Sequence, residues 1–269
     1  MNIGLLACDD VPDRLRHIAG SYQDMFDALL RPYITDLRFT RFDVCQGDVP
    51  ATPDACDVYL CTGSRYSVYD ERDWIEALKA FVRDINDAGR TFVGVCFGHQ
   101  VLAQALGGQV APARQGWGVG VIDMTIVKTE PWMHPAQNHC KLQYMHADQV
   151  QTLPPESELL AAAPHCPVAM FRVGETMLGI EGHPEFPAPY VEALLRARRE
   201  RIGPERVDSA LGSLSEPTDE KIAGRWIANF LAGGAALPPG GGGKQTEVNR
   251  GSASRLAKLR TERNPGSSP

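Results

Sequence analysis

Apolar positions in the first part of the chain follow two alternating rhythms. Residues 2–7 read as a short buried strand, 37–44 and 57–61 as strands, and 91–95 as a continuous apolar run. Between them, apolar residues recur every three or four positions. Leu15, Ile18, Ala19, Tyr22, Phe26, Leu29 and Leu30 form one such face after Pro12. Trp74, Ala77, Leu78, Phe81, Val82 and Ile85 form a second, stopped by Gly89. Both faces predict amphipathic helices. A third helix is expected up to Leu106, where Gly107-Gly108 ends it. From Gln109 to Ile180 the rhythm changes to short β-like runs at 119–127, 168–173 and 177–180. Helical spacing returns over 187–201 and 218–231, with Ile222, Ala223, Trp226, Ile227 and Phe230 as the last apolar face. Strands alternating with helices predict an α/β fold with a mostly parallel sheet flanked by helices.

The rhythm then stops. Pro238-Pro239 and the glycines at 240–243 lead into a polar stretch rich in Ser, Arg and Lys. One folded domain is expected over residues 1–235, followed by a Gly/Pro linker and a disordered basic tail over 236–269. No internal repeat is present.

Composition narrows the class. The chain has 269 residues, 43% hydrophobic and 22% charged, enough to bury a sizeable core. No apolar run reaches the roughly 20 residues that span a bilayer, so no membrane segment is expected. The first ten residues lack a basic stretch and carry Asp9 and Asp10, unlike a secretory leader. Seven cysteines without framework spacing fit reduced thiols and a cytoplasmic protein. The net charge is -6, and because the tail holds six Lys or Arg against two Glu, the body is more acidic still. An acidic body argues against nucleic acid as a partner.

The chemistry concentrates in a few segments. In Thr91-Phe-Val-Gly-Val-Cys96-Phe-Gly-His-Gln100 a buried strand runs into Gly94-x-Cys96-x-Gly98 and then a helix. This is the context of a nucleophile elbow with cysteine in place of serine. The glycines leave room for the tight turn, and a helix N-terminus favours a thiolate. A thiol nucleophile needs a base, and the base an orienting group. Glu181-Gly-His183-Pro-Glu185-Phe186 offers both: residues two apart in extended chain point to the same side, so Glu185 can fix the His183 tautomer. Here the acid follows the histidine, whereas in α/β-hydrolases it precedes it, which disfavours that family. A turn-rich loop after residue 61, Thr62-Gly63-Ser64-Arg65, offers backbone N–H groups that with that of Phe97 would hold an oxyanion, each worth about 3 to 4 kcal/mol. His99 is expected to pack or cap rather than act as base. His134, His139 and Cys140 have ligand-like side chains, but Pro131 and Pro135 interrupt them and no Cys-x-x-Cys exists, so no metal is expected. Arg196, Arg198, Arg199 and Arg201, interleaved with Glu192 and Glu200, read as a solvated helix face.

Taken together, these segments resemble the class I, or triad, glutamine amidotransferases. Gly94-Val-Cys96-Phe-Gly-His-Gln100 is similar to the family's nucleophile motif and His183-Pro184-Glu185 to its second motif. Ser64 falls at its oxyanion-loop position, and Gln100 at a position that contacts the glutamyl group. His146-Ala147-Asp148 resembles the segment whose backbone, with Gly63, lines the glutamine pocket in GMP synthetase amidotransferase domains. Gln115-Gly-Trp117-Gly-Val-Gly120 and His146-Ala-Asp-Gln-Val150 followed by Leu153-Pro154 resemble a stand-alone branch that includes the plant γ-glutamyl peptidases. The resemblance implies a flavodoxin-like fold and cleavage of a γ-glutamyl amide through a Cys96-His183-Glu185 triad and a glutamyl thioester, with no cofactor. Gly63-Ser64-Arg65 departs from the Gly-Gly-Pro of synthetase-linked domains, and no synthase domain follows. The expected partner is therefore a small γ-glutamyl substrate. A glutaminase subunit feeding ammonia to a separate synthase, and a non-catalytic regulatory module, remain the alternatives.

Overall fold

The segments at 2–7, 57–61 and 91–95 become strands buried on both faces by helices that the intervening segments supply, whereas that at 37–44 becomes a half-exposed edge strand. The computed structural model describes residues 1–233; the linker and tail expected over 236–269 lie outside them. In chain order the fold begins β1 (Asn2–Leu6), α1 (Asp13–Ala19), α2 (Tyr22–Leu30), β2 (Arg38–Phe42) and β3 (Val58–Cys61). It continues α3 (Asp73–Asp87), β4 (Phe92–Val95), α4 (Phe97–Ala105), β5 (Gln109–Pro112), β6 (Gly118–Ile126) and β7 (His139–His146). Then come β8 (Asp148–Thr152), β9 (Ser157–Ala162), β10 (Met170–Val173) and β11 (Met177–Ile180). Four helices follow: α5 (Ala188–Ala197), α6 (Arg199–Ile202), α7 (Pro204–Ser213) and α8 (Glu220–Leu231).

Among the described residues, nine strands form one sheet in the order β2-β1-β3-β4-β11-β10-β9-β6-β7. From β2 to β11 every pairing is parallel, which is the α/β sheet the alternation predicts; beyond β11 every pairing is antiparallel. β5 and β8 pair separately. Helices α2 and α8 cover one face, where Phe26, Leu29, Trp226 and Ile227 pack over Ile3, Leu5, Val93 and Val95. On the other face, Ile75, Leu78, Phe81 and Val82 of α3 and Val101 and Leu102 of α4 pack over Leu6, Tyr59 and Phe92. Such burial, at about 25 cal/mol per Å², holds the layers together. No helix among the described residues is long and apolar enough to cross a membrane.

Two helices expected as single elements are broken. Gly20 takes φ 76°, a left-handed conformation that ends α1. Ser21 then caps α2 by a reciprocal box: its hydroxyl accepts the Asp24 N–H at 3.2 Å, and the Asp24 carboxylate accepts the Ser21 N–H at 2.7 Å. The helical stretch after residue 187 divides at Arg198 into α5 and α6. Between 109 and 180 the structure adds strands β5, β7, β8 and β9, and after Gly203 the helix α7, to the elements the apolar pattern predicts.

Because β3, β4 and β11 lie side by side and run the same way, their carboxyl ends share one edge of the sheet. That edge is where open α/β sheets place their sites. It brings together the loop after Cys61, the turn after Val95 and the segment after Ile180.

Candidate active site

The turn after β4 is built by sterics. A Cβ on Gly94 would sit 2.3 Å from the Gly98 backbone, and one on Gly98 would sit 2.5 Å from the Cys61 carbonyl oxygen. Neither position tolerates a side chain, so Gly94-x-Cys96-x-Gly98 is a packing requirement. Cys96 between them has φ 53° and ψ -105°, a conformation that costs a non-glycine residue about 1–3 kcal/mol. Two backbone hydrogen bonds hold it there: the Cys96 N–H donates to the Ile180 carbonyl at 2.9 Å, and the Gln100 N–H to the Cys96 carbonyl at 3.0 Å. The side chain thus stands at the N-terminus of α4.

His183 and Glu185 reach the same place from β11. The His183 ring Nδ1 lies 2.7 Å from Glu185 Oε1, both residues are buried, and the ring stacks on Phe186 with centroids 3.9 Å apart. The His183 N–H donates to the Gln143 carbonyl on β7 at 2.7 Å, which fixes the backbone. With Nδ1 engaged by the carboxylate, Nε2 is the ring nitrogen left to exchange a proton. Cys96, His183, Gly63 and Ser64 line one small cavity of about 20 Å³. A Cβ on Gly63 would lie 3.0 Å from His183 Cε1 and 3.7 Å from Cys96 Cβ, so glycine there keeps the space between thiol and imidazole open.

A larger cavity of about 290 Å³ opens beside the thiol, lined by Ser64, Cys96, Phe97, Gln100, His146, Ala147 and Asp148 among others. The structure therefore brings together every site residue expected from the sequence. Their individual positions are specific. The Phe97 N–H favours the ionised form of the Cys96 sulfur. Ser64 Oγ donates to the Cys8 carbonyl at 2.9 Å and so anchors its loop. Asp148 accepts from Ser67 Oγ at 2.6 Å and Tyr69 Oη at 2.8 Å, tying that loop to β8. His146 Nδ1 and Gln100 Nε2 both donate to the Asp148 carbonyl, at 2.9 and 3.0 Å. His99 is fully buried edge-on to Phe171, a packing role.

Electrostatics corrects one expectation. The helix N-terminus does not leave Cys96 a ready thiolate: burial, reinforced by Glu181 and Glu185, pushes the thiol well above its ordinary range, outweighing the pull of the Phe97 N–H. Removing its proton needs an adjacent acceptor, and His183 lines the same cavity.

Other residues of the site were not legible as such. Asp9, buried beyond β1, accepts the Arg65 backbone N–H at 3.1 Å and its guanidinium at 2.6–3.0 Å, holding the loop after β3 from a distant stretch of chain. Arg198 and Arg201, expected on a solvated face, line the larger cavity, with Arg201 over the Trp117 ring; Arg196 and Arg199 do pair outward, with Glu192 and Asp208. Arg198, at the break between the two helices, is half-buried, while Arg201 at the cavity rim stays exposed. Glu181, inside the triad segment, is fully buried beside Cys96.

Comparison with known proteins places this arrangement. The family model for class I glutamine amidotransferases matches residues 62–193, a span that includes the loop after β3, the elbow and the His183–Glu185 pair. A gamma-glutamyl peptidase of Arabidopsis thaliana is 30% identical over 174 residues, 62% of this chain and 68% of its own length. The chain belongs to the class I glutamine amidotransferase family. A glutamine-hydrolysing GMP synthase of Thermomicrobium roseum is 30% identical over 167 residues, 52% of this chain and 31% of that protein. The fold agrees: the crystal structure of a glutamine amidotransferase from Thermotoga maritima superposes with a TM-score of 0.69 at 16% identity, covering 85% of this chain and 98% of that one.

Proposed function

We propose that this family member hydrolyses a γ-glutamyl amide bond through a Cys96-His183-Glu185 triad. The observation that carries the reading is the buried 2.7 Å His183–Glu185 pair facing the cavity into which the elbow projects Cys96. His183 Nε2 takes the thiol proton as sulfur attacks the γ-carbonyl carbon. The Ser64 and Phe97 N–H groups receive the developing oxyanion. The tetrahedral adduct collapses by breaking the C–N bond; the leaving amine takes its proton from His183, and a glutamyl thioester remains on Cys96. His183 then deprotonates a water, which adds to the thioester carbonyl, and glutamate departs as the thiol is re-formed. Gly63, Gln100, His146, Ala147 and Asp148 wall the glutamyl pocket. No metal or organic cofactor takes part.

The Gly63-Ser64-Arg65 loop and the similarity to a gamma-glutamyl peptidase favour a γ-glutamyl peptide over free glutamine. A second reading, a glutaminase subunit serving a separate synthase, draws on the similarity to a GMP synthase. Glutamate release by the purified chain, from glutamine and from γ-glutamyl peptides with Cys96→Ala as control, decides between them. Cys96-dependent release from peptides is the expected result. Release from glutamine alone favours the second reading, and no release from any of them by wild type refutes the proposed hydrolase.

A further inference from the structure

Glu181 follows β11 and is fully buried, one residue past the Ile180 carbonyl that holds the Cys96 backbone. Its two carboxyl oxygens lie 3.0 and 3.3 Å from Gln100 Nε2, and its charge acts on the Cys96 thiol. The basic groups nearest to it are imidazoles, His99 Nε2 at 3.5 Å and His146 Nδ1 at 3.8 Å. Neither carries charge at neutral pH, because burial pulls His99 down to about 3 and His146 to about 4. No lysine or arginine pairs with Glu181 among the described residues. A carboxylate taken out of water without a cation neutralises itself by keeping its proton. Burial accordingly pushes Glu181 well above the usual carboxylate range, and Asp148 adds to the rise.

The groups that face this carboxyl come from every side. The elbow and α4 present Cys96 and His99, β7 presents Tyr144 and His146, and β8 presents Asp148. Cys166 faces it from the segment before β10, and His183 and Glu185 follow it along its own strand end. Of these, Asp148 opposes its ionisation, while the Gln100 amide favours it; burial is larger than either effect.

We propose that Glu181 is a positioning residue of the site: as an uncharged acid it clamps the Gln100 amide, and when it ionises it suppresses the neighbouring nucleophile. The inference rests on the reading of Cys96 as that nucleophile. Gln100 Nε2 has two hydrogens, and they go to the Asp148 carbonyl and to Glu181. The amide is thereby fixed with Oε1 as its acceptor for a donor in the cavity that Gln100 and Cys96 share, such as the ammonium of a glutamyl group. An ionised Glu181 would set a second negative charge against the thiolate and the oxyanion, so activity falls at alkaline pH as Glu181 loses its proton.

The test compares the full chain with Glu181→Gln, which mimics the uncharged acid, and Glu181→Ala. Alkylation of Cys96 by iodoacetamide, resolved by peptide mass spectrometry from neutral to alkaline pH, reads the thiolate without a substrate. Glu181→Gln is expected to move the midpoint down by about one pH unit, giving about tenfold faster alkylation at the alkaline pH values where Glu181 of the wild type has lost its proton. Superimposable curves would overturn the proposal. With a γ-glutamyl peptide, Glu181→Gln is expected to stay active at alkaline pH values where wild type declines. Glu181→Ala is expected to raise KM about tenfold through the loosened Gln100, a loss that Glu181→Gln rescues. Equal loss in both variants also overturns the proposal, and if the alanine variant fails to fold, the glutamine variant alone carries the alkylation test. The two readings fail separately: a shifted alkylation curve in a chain that cleaves no γ-glutamyl compound removes the proposed activity and keeps the role of Glu181.

Discussion

The parallel half of the sheet and its antiparallel half contribute to the site by different physics. In the parallel half, β3, β4 and β11 end together, and the groups they place there are held by backbone geometry: the strained Cys96, two glycines without room for a Cβ, and main-chain hydrogen bonds between neighbouring strand ends. The antiparallel half, with β8 of the small second sheet beside it, acts through hydrogen bonds across the site. The Gln143 carbonyl on β7 fixes the His183 backbone. His146 at the end of β7 donates to the Asp148 carbonyl, and the Asp148 side chain receives Ser67 and Tyr69 from the facing loop. The nucleophile's position is thus a matter of backbone sterics and main-chain bonds at adjacent strand ends. The wall opposite depends on pairs separated by long stretches of chain.

That contrast breaks if the elbow tolerates a methyl group. Gly94→Ala is expected to abolish turnover and to destabilise the protein by about 3 kcal/mol, because the Cβ would meet Gly98 backbone that cannot move without moving α4. Denaturant unfolding together with glutamate release checks both effects, and a folded, active variant would show that the turn is not set by packing. Next in size is Glu185→Gln, which keeps the shape but removes the charge that orients His183. Its kcat is expected to fall about 10²- to 10⁴-fold with the fold intact, read by steady-state kinetics beside circular dichroism.

Across the site the effects should be smaller and of a different kind. Asp148→Ala frees Ser67 and Tyr69 and loosens the loop that carries Ser64, so KM is expected to rise about tenfold while kcat changes less. A variant in which kcat falls as far as in Glu185→Gln would erase the distinction between the halves. The smallest effect sharpens it through pH. Folding raises the Glu181 carboxyl above its unfolded value, so the wild type is penalised as pH rises past the ordinary carboxylate range, where only the unfolded chain releases this proton. Glu181→Gln lacks that penalty. Its Tm advantage over wild type should grow from acid to neutral pH; a difference that is constant with pH would mean the carboxyl is ionised in the fold.

Much of the parallel half was readable from local pattern. Continuous apolar runs marked β1, β3 and β4, and glycine spacing marked the elbow, because both follow from what neighbouring residues can bury or clear. β7 escaped notice since Lys141, Gln143 and His146 make its sequence look polar, although Gln143 and His146 are buried. Gly20 reads as a tolerable small residue on a helical face; only its φ of 76° shows that it ends α1.

The division that results has a physical basis. From the sequence alone came the α/β alternation, the cysteine elbow with its two glycines, and the His183–Glu185 spacing, each legible as a pattern in a local stretch of chain. Tertiary structure alone decided that Asp9 holds Arg65, that Arg198 and Arg201 line the cavity, that Asp148 ties down the facing loop, and that Glu181 is sealed beside Cys96 without a cation. These depend on which strand ends become neighbours and how much water the packed layers exclude. Both are properties of the assembled sheet and helices, and no short stretch of sequence carries them.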